Sequence, residues 1–381
     1  MINVNYSLVF VDKSTPLYLK WYSIVTLFFF LLTFVSPTIT FAQSTLSSNN
    51  VDTAPIDLYL EMTAHIKTNG TLDDALVKKY FSHPIVAVFK QQPGFDSVKF
   101  LNNLKAVYSN KPVPTSQQDD DYLLMKKYFR NEIGIRKGLE LVKQTNIGET
   151  VKKRLRPFYP KSINLDSIQL HFVYMFLDEG NGGLPGYVLN SALQTSYLDR
   201  KHVDIISAHE AYHAITNPIF MDRFKLIFGA TPSDTITNNQ NLLSYMQLVS
   251  EEGIADLIDK KIISLSKSPL AEEVKRLREK ETIRAEKRIK QLDSLLANSS
   301  GNLNFLALDE IRENGGHIPG RFMAERIKEA NLLEKFIQHT GNPFQFFYLY
   351  NEAVKGQISV PRFSEKSIAN LKALEKKIQQ P

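Results

Sequence analysis

His209-Glu210-Ala211-Tyr212-His213 reads H-E-x-x-H inside a stretch, Asp199 to Asn217, whose pattern predicts a helix. Two histidines four apart stack on one helical face, one turn from each other. That spacing lets two imidazole nitrogens reach one zinc ion at roughly 2.0–2.1 Å. Glu210 projects beside the pair, toward a water held by the metal rather than the metal itself, so one turn supplies two ligands and a general base. Ile205 and Ile206 fall on or beside the same stripe, and Asn217-Pro218 is expected to stop the helix. With 8 histidines in 381 residues, chance places such a motif in roughly 1% of comparable chains, which favours the metal reading over ordinary surface or core histidines. His202, two turns before His209, reads as a packing or supporting residue.

A zinc ion held by two histidines needs one more protein ligand and an open position for water. A second helix is predicted over about Leu242 to Ile263, and in it Glu252 and Asp256 share a face. Glu252, 39 positions beyond His213, is expected to be the third ligand. Glu251 has no acidic partner four residues on and ranks behind it. Asp256 is expected to accept a hydrogen bond from the other ring nitrogen of a ligand histidine and so fix its tautomer. Gly253 is expected to let the two helices approach closely.

On His209, Glu210, His213, Glu252 and Asp256, residues 168–340 resemble the gluzincins, the thermolysin-like clan of zinc peptidases. There H-E-x-x-H is completed by a glutamate on a later helix, often within E-x-x-x-D. The helical N-terminal region, the single H-E-x-x-H and Gly316-His317-Ile318-Pro319-Gly320 look most like uncharacterised bacterial families of zinc-dependent peptidases. The metzincin pattern is absent, Thr216 standing in place of its glycine and Ile219 in place of its third histidine. The long spacing to the glutamate and the helical prefix depart from thermolysin and leave the substrate class open.

The resemblance implies hydrolysis of a peptide or protein substrate. Zn2+ is held by His209, His213 and Glu252, and Glu210 takes the water's proton and passes it to the leaving amine. It further implies a His or Tyr donor for the transition state from a later segment. His317, in the glycine-flanked turn, is the candidate; Tyr245 competes with it, and His339 reads as a helix-end cap. Two rival readings stay open. One is a zinc-binding protein without turnover, against which the intact Glu210 argues. The other is a helical scaffold or interaction protein, which would hold no stoichiometric zinc.

The chain has no cysteine, which excludes disulfides, a cysteine nucleophile and thiolate metal sites, and leaves any metal to His, Asp and Glu. A net charge of +6 with no basic block in a disordered arm argues against nucleic acid as a partner. Lys20, the apolar run Trp21–Val35, the Ser36-Pro37 break and Thr40-Phe41-Ala42 read as a signal peptide, 1–42, with Gln43 starting a secreted or periplasmic chain. The run is 15 residues long, short of the about 20 that span a bilayer. An N-terminal membrane anchor is the alternative, and no stable span is expected in the mature chain.

Residues 43–55 read as a polar linker, 56–160 as a helical N-terminal region, and 161–381 as the gluzincin-like domain with a charged helical arm at about 270–298. Helices are predicted at Asp57–Thr68, Leu72–Gln91 (broken by Pro84), Ser97–Ser109 and Tyr122–Gln144, with Asp119–Asp121 as a helix start. Strands are predicted at Ile168–Phe176 and Gly186–Leu193, with a turn at Glu179–Gly183 and His171 as a sheet residue. Thr231–Asn239 reads as a turn-like loop. Further helices are expected at Leu270–Leu296, Arg321–Glu329, Glu334–His339, Asn342–Val354 and, on the surface, Ser364–Ile378. The fold class is therefore α+β, predominantly α-helical, with a small sheet next to the H-E-x-x-H helix and helical regions on either side.

Overall fold

A computed structural model of the chain describes residues 51–90, 95–109, 118–174, 181–184, 187–196, 202–229, 234–265, 269–298, 303 and 305–379. The expected leader and the first part of the expected linker lie outside the described residues, as do Pro93-Gly94 and Pro112–Pro114. The fold is predominantly α-helical with one small sheet, as the sequence pattern implies.

Helix boundaries in the first half follow local chemistry. β1 (Val51–Asp52) lies within the segment read as linker. α1 (Ala54–Asn69) carries Pro55 in its first turn, where a missing N–H leaves no bond unmade. α2 (Asp74–Ser82) is capped by Asp73, whose carboxylate accepts from the backbone N–H groups of Ala75 and Leu76. Pro84 starts α3 (Pro84–Lys90), so the single predicted stretch is two helices. α4 (Ser97–Tyr108) is capped by Asp96, and α5 (Asp120–Gln144) by Asp119, which accepts from Tyr122 N–H at 2.8 Å. The Asp119–Asp121 run is thus a helix start. Tyr59 of α1, Tyr128 of α5 and Tyr174, just after the strand Gln169–Val173, pack their rings together, with Tyr59 and Tyr174 stacked at 4.7 Å. α6 (Ile147–Leu155) follows.

The sheet has four strands in the order β1-β2-β4-β3, with β2 at Gln169–Val173, β3 at Asn181–Leu184 and β4 at Tyr187–Ser191. β1, β2 and β4 are parallel, and β3 runs antiparallel to β4. The glycine-rich stretch read as a turn therefore contributes a strand. His171 is a sheet residue, as expected, with Nδ1 2.9 Å from Asp52 Oδ2 on β1.

α7 (Ala192–Thr195) leads to α8 (Ile205–Arg223), which carries the H-E-x-x-H residues. Two expectations about α8 are corrected. It begins at Ile205, not near Asp199, with residues 202–204 in a turn. It also runs through Pro218 to Arg223. Proline deletes one backbone hydrogen bond, but the turn after it carries Phe220, fully buried and packed on Phe224 at 5.1 Å, so burial outweighs the breaker. Three contacts anchor α8. Arg154 Nε donates to Asp204 Oδ2 at 2.6 Å, and Tyr159 Oη donates to the Tyr212 carbonyl at 2.7 Å. Ser207 Oγ donates to Asn190 Oδ1 on β4 at 2.7 Å, and Asn190 Nδ2 donates in turn to the His171 carbonyl at 3.3 Å. The sheet thereby lies directly against the motif helix.

After α9 (Lys225–Phe228), α10 runs from Asp234 to Leu265, so its first turns occupy the stretch read as a loop. α11 (Pro269–Ala297) is the charged arm; Ala285, Ile289, Leu292 and Leu296 form its thin buried stripe. α12 (Phe305–Arg312) ends at a turn with Glu313, Gly315 and Gly316 at positive φ. α13 (His317–Glu329) begins four residues earlier than predicted, because Pro319 sits in its first turn, where no intrahelical N–H bond is lost. α14 (Leu333–Ile337), α15 (Pro343–Ala353) and α16 (Glu365–Gln379) complete the fold. α16 is not a bare surface helix: Leu371 is buried, and Ser367 Oγ and Asn370 Nδ2 donate to the Asp293 and Leu296 carbonyls of α11.

Gly253 faces α13, not α8. A Cβ on Gly253 would overlap the Gly320 carbonyl, and one on Gly320 would overlap the Val249 carbonyl, so α10 and α13 cross backbone to backbone. Gly253→Ala should therefore lower the unfolding free energy by about 1–3 kcal/mol, the usual cost of overpacking. Urea melts check this, and an unchanged midpoint would show that the helices do not pack this closely.

Candidate metal centre

α8 and α10 run antiparallel at the site, since the earlier histidine of α8 meets the later carboxylate of α10. His209 Nδ1 lies 3.4 Å from Asp259 Oδ1, and His213 Nδ1 donates to Glu251 Oε2 at 3.3 Å. The opposite ring nitrogens converge. His209 Nε2 and His213 Nε2 are 3.3 Å apart, and each is 3.4 Å from Glu252 Oε2. Three donors arranged tetrahedrally about 2.0–2.1 Å from a zinc ion are separated by about 3.3–3.4 Å. The triangle of two imidazole nitrogens and one carboxylate oxygen thus has the dimensions of a zinc site. Glu252 Oε2 is buried and takes no hydrogen bond among the described residues, which suits it to a cation. His209, Glu252, Asp256 and His317 also place ligand atoms within 4.8 Å of one another. That wider set shares two members with the triangle, but its Asp256 and His317 are paired with each other, and the triangle is the better match to zinc.

The helical period explains which carboxylate goes where. At about 100° per residue, Gly253 and Asp256 lie on one side of Glu252, and Glu251 and Asp259 on the other. The first side faces α13 and the second faces α8. Asp256 accordingly accepts from His317 Nδ1 at 3.0 Å, while its distance to His209 Nδ1 is 4.0 Å. This corrects the expectation that Asp256 supports a ligand histidine. The carboxylate nearest His209 Nδ1 is Asp259, which the sequence reading missed. Its one signal was an acid seven residues, two turns, beyond Glu252. Glu251, ranked behind Glu252 as a ligand, stands behind His213. It also accepts from Gln247 Nε2, and with its amide turned so that oxygen and nitrogen exchange places, Asn217 donates to its two oxygens at 2.9 and 3.0 Å.

His317 is in the site. The left-handed Gly316 turns the chain into α13 and presents the imidazole beside His209, with ring centroids 5.8 Å apart and Nδ1 3.2 Å from Glu252 Oε2. Tyr245 is buried on α10, and the cations acting on it are Arg312 and Arg288. Glu210, largely buried on α8, adds its negative charge to the field at His209. His339 lies at the C-terminal end of α14, its N–H donating to the Phe336 carbonyl at 2.8 Å.

Electrostatics follow from this packing. Burial opposes a proton on His209, but Asp259 and Glu252 outweigh it and hold the imidazole well above its usual range. The same contest at His213, with Glu252 and Glu251 prevailing, lifts it to about 10. Burial would raise Glu252, yet His317 and His213 bring it well below the ordinary carboxylate range. Burial pushes Glu251 up to about 7. Without a metal, the acids around His209 and His213 therefore favour the protonated forms of both imidazoles.

A predominantly helical protein with a small sheet against a helix bearing H-E-x-x-H, and a buried His-His-Glu triangle of zinc dimensions, belongs with candidate zinc-dependent hydrolases. Residues 77–357 match the family described as "Putative zinc dependent peptidase (DUF5700)", and the chain belongs to that family. No curated protein and no solved structure matches it.

Both Nε2 atoms converge on Glu252, whereas Glu251 meets only a far-side Nδ1. Glu252→Gln should therefore weaken zinc binding far more than Glu251→Gln, as read by chelator competition. The reverse order would move the third ligand to Glu251.

Proposed function

We propose that this protein is a secreted zinc-dependent peptidase in which His209, His213 and Glu252 hold the metal. The observation that carries the proposal is the 3.3–3.4 Å triangle of their donor atoms, formed between α8 and α10. Zinc bound there would supply a Lewis acid that polarises the scissile carbonyl and acidifies a water. Glu210 follows His209 directly and projects beside the histidine pair, so its carboxylate takes a proton from the attacking water and returns it to the leaving amine. His317 adds an N–H donor toward the negative charge that develops on the carbonyl oxygen, with Asp256 orienting its ring. The reading of a zinc protein without turnover leaves Glu210 unexplained, because holding a metal needs no base at that position. The gluzincin-like arrangement of H-E-x-x-H with a glutamate from a later helix belongs to this reading.

Three substitutions separate the roles. Glu210→Gln should keep about one zinc per chain and lose roughly 10²–10⁴-fold in kcat on a peptide-library substrate. His317→Ala should also keep zinc and lose roughly 10²–10³-fold in kcat with little change in KM. His209→Ala should lose the metal. Near-normal turnover by Glu210→Gln, or full zinc occupancy in His209→Ala, would overturn the mechanism.

Secretion rests on the leader pattern Lys20, Trp21–Val35 and Thr40-Phe41-Ala42. Among the described residues no helix is long and apolar enough to cross a membrane. N-terminal sequencing of exported protein should begin near Gln43; a chain retaining 20–35 would instead be membrane-anchored.

A further inference from the structure

A histidine that gives Nε2 to a metal carries its proton on Nδ1, and that N–H needs an acceptor in a buried site. For His213 the acceptor is Glu251. For His209 two carboxylates compete, and their distances decide. Asp256 Oδ1 is 4.0 Å away and already takes His317 Nδ1 at 3.0 Å. Asp259 Oδ1 is 3.4 Å away, and neither it nor His209 Nδ1 has any hydrogen-bond partner among the described residues. The other oxygen of Asp259 is held by Lys260 Nζ at 2.9 Å, which fixes the carboxylate's orientation with Oδ1 toward His209. Asp259 is also almost wholly buried, at 1% exposure, so its charge is not screened by water.

We infer that Asp259 is the positioning residue for the ligand histidine His209, and that Asp256, the aspartate of E-x-x-x-D, serves His317 instead. α10 then divides its acids by side. Glu251 and Asp259, on the α8 flank, hold the two ligand histidines from behind. Asp256, on the α13 flank, holds a histidine that is not a ligand. The division follows from α10 lying between α8 and α13, and its pitch sends residue 259 back toward α8 when residue 256 has turned away from it.

The inference rests on the zinc reading of the site, and the test keeps the two apart. Zinc dissociation constants are measured on the full mature chain by chelator competition. Variants are Asp259→Asn, Asp256→Asn, Lys260→Met and the double variant Asp259→Asn/Lys260→Met, with His209→Ala as the control. Cobalt(II) absorption spectra of the same proteins report on the histidine ligand field, which a merely structural role would leave alone. The expected result is a roughly 10–100-fold weaker zinc complex for Asp259→Asn, with a shifted cobalt band. Asp256→Asn and Lys260→Met should stay within about threefold of wild type, well below the loss expected on removing a histidine's own partner. The double variant leaves no unpaired lysine charge. It should show the same loss relative to Lys260→Met, and it carries the test if Asp259→Asn does not fold. Wild-type affinity in the aspartate-259 variants, or a larger loss in Asp256→Asn or Lys260→Met, overturns the inference. Full zinc retention by His209→Ala would instead remove the site reading on which it rests.

Discussion

Four carboxylates leave α10 within nine residues, at 251, 252, 256 and 259, and three of them are fully buried. Desolvating a carboxylate costs several kcal/mol unless the charge is met. Here it is met by His209 and His213 from α8, by His317 from α13 and by Lys260 from α10 itself. The surrounding helices are placed so that each imidazole reaches its acid. The same arrangement leaves one oxygen, Glu252 Oε2, facing two Nε2 atoms with no hydrogen bond among the described residues, the point at which the proposed zinc would sit.

This arrangement depends on how close α10 and α13 can come. Gly253 and Gly320 bring the two backbones into contact, and Gly316 turns the chain so that the first residue of α13 is His317. Side chains at the glycine positions would push α13 outward and carry His317 away from Asp256. On the other flank α8 is held by polar contacts at three levels, from Arg154, Asn190 and Tyr159. The charged arm α11 contributes from behind: Arg284 and Arg288 pair with Glu313, and Arg321 of α13 pairs with Glu281. Its charges therefore brace the turn that launches α13, which gives a largely polar helix a role in the interior architecture.

Much of the local structure was legible in the residues. Asp73, Asp96 and Asp119 act as caps because a short carboxylate before a helix reaches the free N–H groups wherever the helix ends up. Pro84 starts a helix for an equally local reason. The motif histidines share a face by helical period alone. Where local signals met burial they failed. Pro218 did not end α8, because burial of Phe220 beyond it outweighs the breaker; the glycine-rich stretch at 181–184 pairs with β4 as an edge strand, and α10 starts at Asp234, inside the stretch read as a loop.

By itself the sequence determined the helical character of the chain, the cysteine-free ligand chemistry, the His209/His213 pair and the acidic face around Glu252, all properties of spacing along one element. Only the tertiary structure decided which acid faces which imidazole. Asp256 and Asp259 lie within about 60° of each other on the helical wheel, and nothing in the chain says whether α8 or α13 lies on either side. That choice was made by the Gly253–Gly320 crossing and the antiparallel run of α8 against α10, contacts between residues 67 and 50 positions apart. Over such separations, partner choice is a matter of packing geometry, which local periodicity does not encode.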